Sequence, residues 1–451
     1  MEKNSWNAID KAAAFAFCEG YMDFLNRSKT ERHCARTAVE LARAAGFVPL
    51  GETERLSPGD KVFVENRGKS VLFAVMGKDG LFHGANIVAS HIDSPRIDLK
   101  PNPLYEDSEL ALFKTHYYGG IKKYQWLALP LSLIGTVVKE DGSKVEIDIG
   151  EKDSDPVFTI TDLLPHLAAD QMSKKVSEAF PGEDLNVLLG SIPSEAEKDK
   201  VKEHMLYLLK ERYGITEEDF VSAELSLVPN AKARSAGLDA SFVGGYGQDD
   251  RVCAYTSLAG ILALSSPDRT CICYLADKEE IGSMGNTGTK SMFFENCMAK
   301  LLQKSLPQMS DIHLKDALSH SVCLSADVTA GYDPTYKSVN DPLNSAYVGG
   351  GLCICKYTGA RGKSSTSDAS AELVAKVRGI FNQNGVKWQI GELGKVDQGG
   401  GGTVAQFLAN LNIDTLDCGV PVLSMHAPFE ITSKADVYSG YLGYRAFYQS
   451  K

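Results

Sequence analysis

The stretch IVASHIDSP, residues 87–95, contains a short continuous apolar run that leads directly into a polar loop. A strand that is apolar on both faces is typical of a parallel sheet covered by helices on both sides. The loop places His91 two residues before Asp93, at the point where the strand ends. Ligands of such sheets bind outside the carboxyl ends of the strands. Residues 87–95 therefore predict a strand that ends at a ligand-binding site.

Three later segments repeat this pattern of an apolar run followed by acidic or imidazole side chains. They are CICYLA at 271–276 before Glu279 and Glu280, VCLSA at 322–326 before Asp327, and VPVLS at 420–424 before His426. Helical patterns at residues 252–264 and 371–381 lie between these runs, as crossover connections require. The sequence predicts an α/β fold with a doubly wound, mostly parallel sheet and helices on both faces.

The pattern changes between residues 102 and 234. Shorter alternating segments appear, such as KVEIDI at 144–149, followed by a charged helical pattern at 194–212. We expect a discontinuous catalytic domain, residues 1–101 and 235–451, interrupted by an inserted, smaller, β-rich domain at 102–234. Near the N-terminus the spacing predicts helices at about 8–25 and 31–45, then a hairpin of strands 61–66 and 70–76.

Composition excludes several classes of protein. The 451 residues are 43% hydrophobic and 23% charged, which is ordinary globular usage. The formal charge is −11 and no stripe of Lys or Arg is present, so a nucleic-acid partner is not expected. The N-terminus does not resemble a signal peptide and no apolar stretch is long enough to span a bilayer, which predicts a cytoplasmic protein without a membrane partner. The ten cysteines are expected to be reduced core residues, because many lie within apolar runs and none forms a CxxC pair.

The acidic and imidazole residues suit a metal site. Each motif alone has an ordinary explanation: a His-x-Asp pair is often a surface loop, Glu-Glu a solvated turn, and Asp249-Asp250 a helix N-cap. Together they provide two imidazoles and at least three carboxylates, a ligand set that suits zinc, manganese or cobalt. If one carboxylate bridges, there are enough ligands for two metals. Of Glu279 and Glu280, one can then bind metal while its neighbour holds a proton.

Five fragments carry a resemblance that covers nearly the whole chain. They are ASHIDSPRIDLKPNP at 89–103, GQDDRVCAY at 247–255, DKEEIGS at 277–283, SADVTAGYDP at 325–334 and MHAPFEI at 425–431. In this order and at these separations they resemble the aspartyl aminopeptidase and aminopeptidase I family of two-zinc peptidases, and the bacterial branch in particular.

The resemblance implies roles for the motif residues. The metal ligands that it implies are His91, Asp249, Glu280, Asp327 and His426, with Asp249 bridging two Zn²⁺ per chain, for which Mn²⁺ or Co²⁺ are possible substitutes. It makes Glu279 the general base, and Asp93 would orient His91 through a hydrogen bond. Either Asp249 or Asp250 could face the metals, and the order of residues in the related motif favours Asp249.

The resemblance also implies self-association. In the family the inserted domain makes dimer contacts, and the subunits assemble into a tetrahedral homododecamer. His166, in the segment PHLA at 165–168, matches a histidine that reaches the active site of a partner subunit and helps to stabilise the developing oxyanion. The residues alone favour a simpler interpretation of His166, a histidine near the start of a helix.

Two features concern the choice of substrate. Lys356 follows an apolar run where the family has a lysine that pairs with an acidic substrate side chain, although an ordinary lysine at a strand end is an equal alternative. The glycines at 399–402, including Gly400 and Gly401, precede a helical stretch at 404–411 and are interpreted as part of the substrate-binding wall. The apolar segment LALPL at 127–131 could favour neutral side chains instead.

The preferred hypothesis is a metal-dependent aminopeptidase that removes the N-terminal residue, preferably Asp or Glu and possibly a neutral residue such as Leu, from peptides with a free N-terminus. A two-metal deacylase of N-acyl amino acids is a second enzyme hypothesis, because related hydrolases share the ligand pattern. A third is a catalytically silent, shell-forming protein that binds peptides. The presence of Glu279 together with the full ligand set argues against the third.

Overall fold

A computed structural model describes residues 4–451, so the first three residues of the N-terminal stretch lie outside the described residues. The chain divides into two compact units. Among the described residues, unit 1 contains 4–93, 233–425 and 430–451, and unit 2 contains 94–232 and 426–429. The predicted domain bounds, and the dimerisation role of the inserted domain, stay predictions.

Helices alternate with strands along most of unit 1. The α-helices of the described residues are α1 Lys11–Arg27, α2 Glu31–Ala44, α3 Ala169–Ser173, α4 Val176–Ala179, α5 Lys200–Tyr213, α6 Gln248–Leu262, α7 Phe293–Ser305, α8 Asp311–Ser319, α9 Ala371–Gln383, α10 Ala405–Ala409 and α11 Lys434–Tyr448. Of these, α3, α4 and α5 belong to unit 2.

The strands are shorter and more numerous. In chain order they are β1 Val48–Pro49, β2 Lys61–Asn66, β3 Ser70–Val75, β4 Ala85–His91, β5 Arg96–Asp107, β6 Leu110–Tyr118, β7 Leu131–Val138, β8 Lys144–Ile149, β9 Thr159–Ile160, β10 Val187–Gly190, β11 Ala223–Pro229, β12 Arg234–Ala236, β13 Phe242–Gly245, β14 Thr270–Ala276, β15 Val322–Ser325, β16 Thr329–Ala330, β17 Leu352–Cys355, β18 Trp388–Ile390, β19 Asp414–Gly419, β20 Pro421–Val422 and β21 Glu430–Ser433.

Unit 1 is built on a nine-stranded sheet. The strand order is β1-β2-β3-β14-β4-β15-β19-β17-β18. Its centre, from β14 through β4 and β15 to β19, is parallel throughout. The antiparallel pairs are β2-β3, β3-β14 and β17-β19. The predicted doubly wound, mostly parallel sheet is confirmed.

Side chains of the central strands alternate between two hydrophobic cores. In β3, Phe73 packs into a core with α1, α2, α6, α9 and α11, whereas its neighbours Leu72 and Ala74 pack into a second core with α7, α8 and α10. This alternation follows from the period of two of a β-strand. Because both faces of the strand are buried, its sequence is continuously apolar, and the predicted helices on both faces of the sheet are confirmed.

Unit 2 is built on a seven-stranded sheet with the order β8-β7-β11-β5-β6-β10-β9. Every pair of neighbouring strands in it is antiparallel. Its buried side chains include Ile97, Phe113 and Leu227, none of which is exposed. The shorter, alternating apolar and polar segments after residue 101 thus correspond to an antiparallel sheet, as the prediction of a β-rich domain requires.

Two local predictions are wrong. The strand expected at 420–424 is preceded by the sheet strand β19, and only Pro421–Val422 is a strand, paired with β16 in a separate two-stranded sheet. Polar residues such as Asp414 interrupt the apolar pattern of β19, so hydrophobicity alone does not predict this strand. The helix expected at 194–212 begins only at Lys200, because Val201 is the first side chain of this segment that is buried.

All ten cysteines are free and buried, as predicted. Within residues 4–451, a search for membrane spans finds no helix with the length and apolar character that crossing a bilayer requires.

Candidate metal centre and active site

Three neighbouring parallel strands of unit 1 end at the candidate site. His91 is the last residue of β4, Glu279 and Glu280 follow β14, and Asp327 follows β15. Strand β4 lies between the other two in the sheet. The carboxyl ends of these strands are therefore side by side, and the sheet itself brings the predicted residues together.

His91 is the centre of a cluster of carboxylates. Its side chain is 1% exposed, and its Nε2 lies 3.1 Å from Asp249 Oδ1 and 3.7 Å from Asp327 Oδ1. Burial lowers the pKa of His91, but Asp327, Asp249 and Asp93 together outweigh burial and raise the pKa well above its ordinary value. Ligand atoms of His91, Asp249 and Asp327 lie within 4.8 Å of one another, a spacing that would accommodate a metal ion.

Asp249 and Asp250 have different surroundings. The peptide bond between them is cis, at a kink in the first turn of α6. The Asp249 N–H donates to Glu430 Oε2 at 3.1 Å, and the Asp249 carboxylate faces His91 Nε2. Asp250 is fully buried and its Oδ2 accepts from the His91 backbone N–H at 3.2 Å. The carboxylate directed at the imidazole nitrogen is therefore that of Asp249.

Asp93 connects His91 to the pair of glutamates. Its backbone carbonyl oxygen hydrogen-bonds His91 Nδ1 at 3.1 Å, and its Oδ1 lies 3.3 Å from the same nitrogen. The same carboxylate accepts two backbone hydrogen bonds, from the Glu279 N–H at 3.1 Å and from the Glu280 N–H at 3.2 Å. Asp93 is completely buried. One side chain thus restrains both the orientation of the imidazole and the turn that carries Glu279 and Glu280.

Glu279 and Glu280 begin a short 3₁₀ turn, Glu279–Ile281. Carboxylate oxygens of Glu280 and Asp249 lie within 4.8 Å of each other, so Glu280 borders the metal cluster. Burial raises the pKa of the Glu279 carboxyl to about 8, against the effect of His91, and the carboxylates of Asp327 and others reinforce the rise. Glu279 is a carboxyl group with a high proton affinity beside that cluster.

Two predicted residues belong to unit 2. His426 has a left-handed backbone with φ of 66°, and its Nδ1 lies 2.7 Å from the Gly120 carbonyl oxygen. A histidine whose one ring nitrogen is hydrogen-bonded to a carbonyl presents the other nitrogen in a defined direction. His166 lies in the 3₁₀ turn Pro165–Leu167 and is exposed.

The exposed side chains around His166 are apolar. Leu163, Leu164, Leu167, Met172 and Val176 are between 49% and 81% exposed. Apolar side chains that are so close together in sequence and so exposed mark a segment suited to contact with another protein.

The predicted substrate residues lie around β17 of unit 1. Lys356 follows β17, is 43% exposed, and forms an ion pair with Asp368. The Gly401 N–H donates to the Thr358 carbonyl at 3.2 Å, so the glycine segment packs against the chain that follows Lys356. Gly400 has φ of 127°, and a Cβ there would lie 2.5 Å from Ala360 Cα. Only glycine fits this close approach.

The donor set suits zinc. It consists of imidazole nitrogen and carboxylate oxygen, the ligands of catalytic zinc sites, in a nearly dry setting. Burial and the nearby Asp327 raise the pKa of Asp250 well above its ordinary value, and carboxylates so crowded are stabilised by a cation. The residues of unit 1 therefore fit a bound metal ion, and the Glu279 carboxyl lies on the turn next to them.

Sequence reasoning missed two residues of this region. Glu430 is 1% exposed and accepts a hydrogen bond from the Asp249 N–H. In the sequence it is the acidic residue of the fragment MHAPFEI, for which no role was predicted. Asp368 pairs with Lys356 from 12 residues further along the chain. The position of Glu430 within the motif MHAPFEI is the sequence feature that could have indicated it. No sequence periodicity connects Lys356 to Asp368.

Comparison with known proteins assigns the chain to a family. Residues 24–448 match the family described as aminopeptidase I zinc metalloprotease (M18). A probable M18 family aminopeptidase 1 of Clostridium acetobutylicum is 49% identical over 454 aligned positions, which cover 99% of this chain and 97% of the relative. A protein of the same name in Thermotoga maritima is 48% identical over 98% of both chains.

Solved structures agree. The crystal structure of an M18 aminopeptidase from Thermotoga maritima has a TM-score of 0.97, 47% identity and full coverage of both chains. The crystal structure of aminopeptidase I from Clostridium acetobutylicum has a TM-score of 0.91, 48% identity and 99% coverage of both. The prediction of a metal-dependent aminopeptidase is confirmed, and the chain belongs to the M18 family of aminopeptidase I zinc metalloproteases.

Proposed function

We propose that this aminopeptidase hydrolyses the peptide bond after a free N-terminal residue by means of a water molecule activated at a two-zinc centre. The observation that carries the proposal is the position of Asp93, which accepts the Glu279 and Glu280 N–H groups and lies 3.3 Å from His91 Nδ1. This arrangement would keep the general base, after β14, at a fixed separation from the metal-binding imidazole at the end of β4.

The proposed zinc ligands are His91, Asp249, Glu280, Asp327 and His426, with Asp249 as the bridge. The cluster of His91, Asp249 and Asp327 in unit 1 supports this assignment, and so does the orientation of the Asp249 carboxylate toward His91 Nε2. For Glu280 the support is its carboxylate, which borders Asp249. Zinc held by such residues supplies Lewis acidity, which polarises a carbonyl and lowers the pKa of water. Mn²⁺ and Co²⁺ accept the same ligands and are expected to substitute.

Glu279 acts as the general base in this proposal. It takes a proton from the attacking water, whose oxygen bonds to the carbonyl carbon, and passes the proton to the nitrogen of the departing peptide. The C–N bond then breaks, and the N-terminal residue is released as a free amino acid. Its backbone is restrained by Asp93, which keeps the carboxylate beside the metal cluster. The adjacent glutamate, Glu280, would bind metal.

We propose that the active protein is a homo-oligomer, with His166 reaching the active site of a second copy. The exposed apolar side chains from Leu163 to Val176 support the first part, because such a segment is covered in a stable assembly. The solved S. cerevesiae mApe1 structure is a dodecamer, although at 20% identity its likeness to this chain concerns the fold alone. A tetrahedral dodecamer built from dimers is the proposed assembly, and native mass spectrometry measures the number of chains.

The proposed substrates are peptides with a free N-terminus, Asp or Glu preferred and neutral residues such as Leu accepted. The argument for an acidic preference is the ammonium of Lys356, which lies two residues before Thr358, the residue that accepts the Gly401 N–H of the glycine segment.

One experiment separates the proposal from its alternatives. Zinc per chain is measured on the purified protein, and the release of Asp, Glu and Leu from 4-nitroanilides is compared with release from the N-acetylated forms. About two zinc ions per chain and cleavage of the free amines alone are expected. Release of acetate from the acetylated compounds, with the anilide bond left intact, would indicate a deacylase instead. Bound zinc without any turnover would indicate a catalytically silent peptide-binding shell.

A further inference from the structure

The loop that carries Lys356 is closed at its base. The Ala369 N–H donates to the Lys356 carbonyl at 3.0 Å, and the Thr358 N–H donates to Thr366 Oγ1 at 2.9 Å. We call residues 356–369 the lysine loop. Because the two ends of the lysine loop are joined, the side chain of Asp368 returns to the position of Lys356.

Asp368 holds two lysines at once. Lys356 Nζ donates to its Oδ1, and Lys363 Nζ donates to its Oδ2 at 2.8 Å. The three side chains are between 42% and 44% exposed, so none is removed from water. The hydrogen bonds from Lys356 and Lys363 lower the pKa of Asp368, which keeps the carboxylate charged at neutral pH.

The second lysine is fixed by a further contact. Lys363 Nζ lies 3.8 Å from the centroid of the Tyr357 ring, and the Tyr357 hydroxyl donates to Glu392 Oε1 at 2.6 Å. A cation over an aromatic face is stabilised by the charge distribution of the ring. Lys363 is thus held closely by Tyr357 as well as by Asp368, whereas Lys356 Nζ lies farther away, 5.9 Å from the same ring centroid, and has Asp368 as its ion-pair partner.

We propose that Asp368 is a specificity-determining residue that reduces the preference for acidic N-terminal residues by occupying the ammonium of Lys356. This inference rests on the proposed function, in which Lys356 faces the substrate side chain. An acidic side chain must displace a carboxylate that is already on the same loop, and it approaches the negative charge of Asp368. A neutral side chain such as Leu meets neither obstacle.

The test is Asp368→Asn, which keeps the shape of the side chain and removes its charge. We expect the ratio of kcat/KM for Asp and Leu 4-nitroanilides to rise roughly three- to tenfold, the size of one partly exposed ion pair. The second variant Asp368→Ser is expected to act in the same direction. Combining Asp368→Asn with Lys356→Met should cancel the rise, because the ammonium that was set free is then missing.

Asp268→Asn is a matched control. Asp268 also accepts two lysines, Lys78 at 3.0 Å and Lys451 at 3.3 Å, but it lies outside the lysine loop. Its ratio should equal that of the wild type. An unchanged ratio in Asp368→Asn, or a rise that survives Lys356→Met, would overturn the inference. If the zinc-loaded wild type cleaves no free-amine substrate at all, the proposed function is wrong, and the inference that rests on it is wrong as well.

Discussion

Replacing Asp93 with asparagine tests how the site is held together. Asp93 accepts hydrogen bonds from the Glu279 N–H at 3.1 Å and the Glu280 N–H at 3.2 Å, and its Oδ1 lies 3.3 Å from His91 Nδ1. Asparagine has nearly the same volume, but one of its two polar atoms is an NH₂ donor. In either orientation, one backbone N–H of the glutamate turn then faces another donor and loses its acceptor.

Typical energies of buried hydrogen bonds set the expected size of the effect. A hydrogen bond to a charged group contributes about 1.5–3 kcal/mol, and an N–H left without an acceptor in a buried site costs about as much again. Asparagine keeps the backbone carbonyl oxygen that hydrogen-bonds His91 Nδ1, but it replaces the carboxylate next to that nitrogen. Changing an outer-shell group of a metal site typically lowers metal affinity or activity about 10- to 100-fold. We therefore expect Asp93→Asn to fold, to bind zinc about 10- to 100-fold more weakly, and to remain slower than the wild type when zinc is saturating.

The assay combines zinc titration with turnover of a Leu 4-nitroanilide at each zinc concentration. Asp436→Asn is the control, because Asp436 is also fully buried and accepts two backbone N–H groups, from Gly349 at 2.6 Å and Gly351 at 2.7 Å, away from the glutamate turn. Zinc affinity and turnover of Asp93→Asn within twofold of the wild type, or an equal loss of zinc in Asp436→Asn, would refute the reasoning.

Three further predictions concern other parts of the chain. Glu279→Gln should keep zinc and lose about 10²- to 10⁴-fold in kcat, because an amide cannot accept the proton, and loss of zinc instead would make Glu279 a ligand. Mixing inactive Glu279→Gln with inactive His166→Phe should restore activity through hybrid oligomers, and no recovery after demonstrated subunit exchange would confine His166 to its own chain. Burial raises the pKa of Asp436 from 3.8 to about 7, so the folded chain retains a proton that the unfolded chain has released. The stability of the wild type relative to Asp436→Asn should therefore fall by up to about 4 kcal/mol between about pH 4 and pH 7 in urea unfolding, and a constant or rising difference would contradict this sign.

The sequence was informative where apolar runs are continuous. Residues 271–276 predict a strand because both faces of β14 are buried, and the residues that follow such a run necessarily lie at the sheet edge. The strand β19 was misplaced because Asp414 and Asp417 interrupt its apolar pattern. Asp417 is buried all the same and accepts from the Thr403 hydroxyl at 2.7 Å, a tertiary contact that no local pattern encodes.

Within the site, the sequence indicated which residues take part, but not which atoms they contact. The motifs indicated His91, Asp249 and Asp327 as metal ligands, and the structure brings these three together. That Asp250 would accept the His91 backbone N–H, while Asp249 faces the imidazole, depends on a kink at the start of α6. The ion pair of Lys356 likewise depends on how a loop closes, which is decided by hydrogen bonds between residues that are distant in sequence.

The ten buried cysteines make it possible to measure local opening of the core by alkylation. Burial raises the pKa of Cys34 to about 12 and that of Cys273 to about 11, so almost no thiolate exists in the folded chain. Because the thiolate is the reactive form, an alkylating reagent can modify these positions only when a segment separates from its neighbours. Cys34 lies in α2, Cys273 in β14 and Cys355 at the end of β17, beside the lysine loop. The order in which they are alkylated under native conditions would map, segment by segment, which part of unit 1 opens most readily.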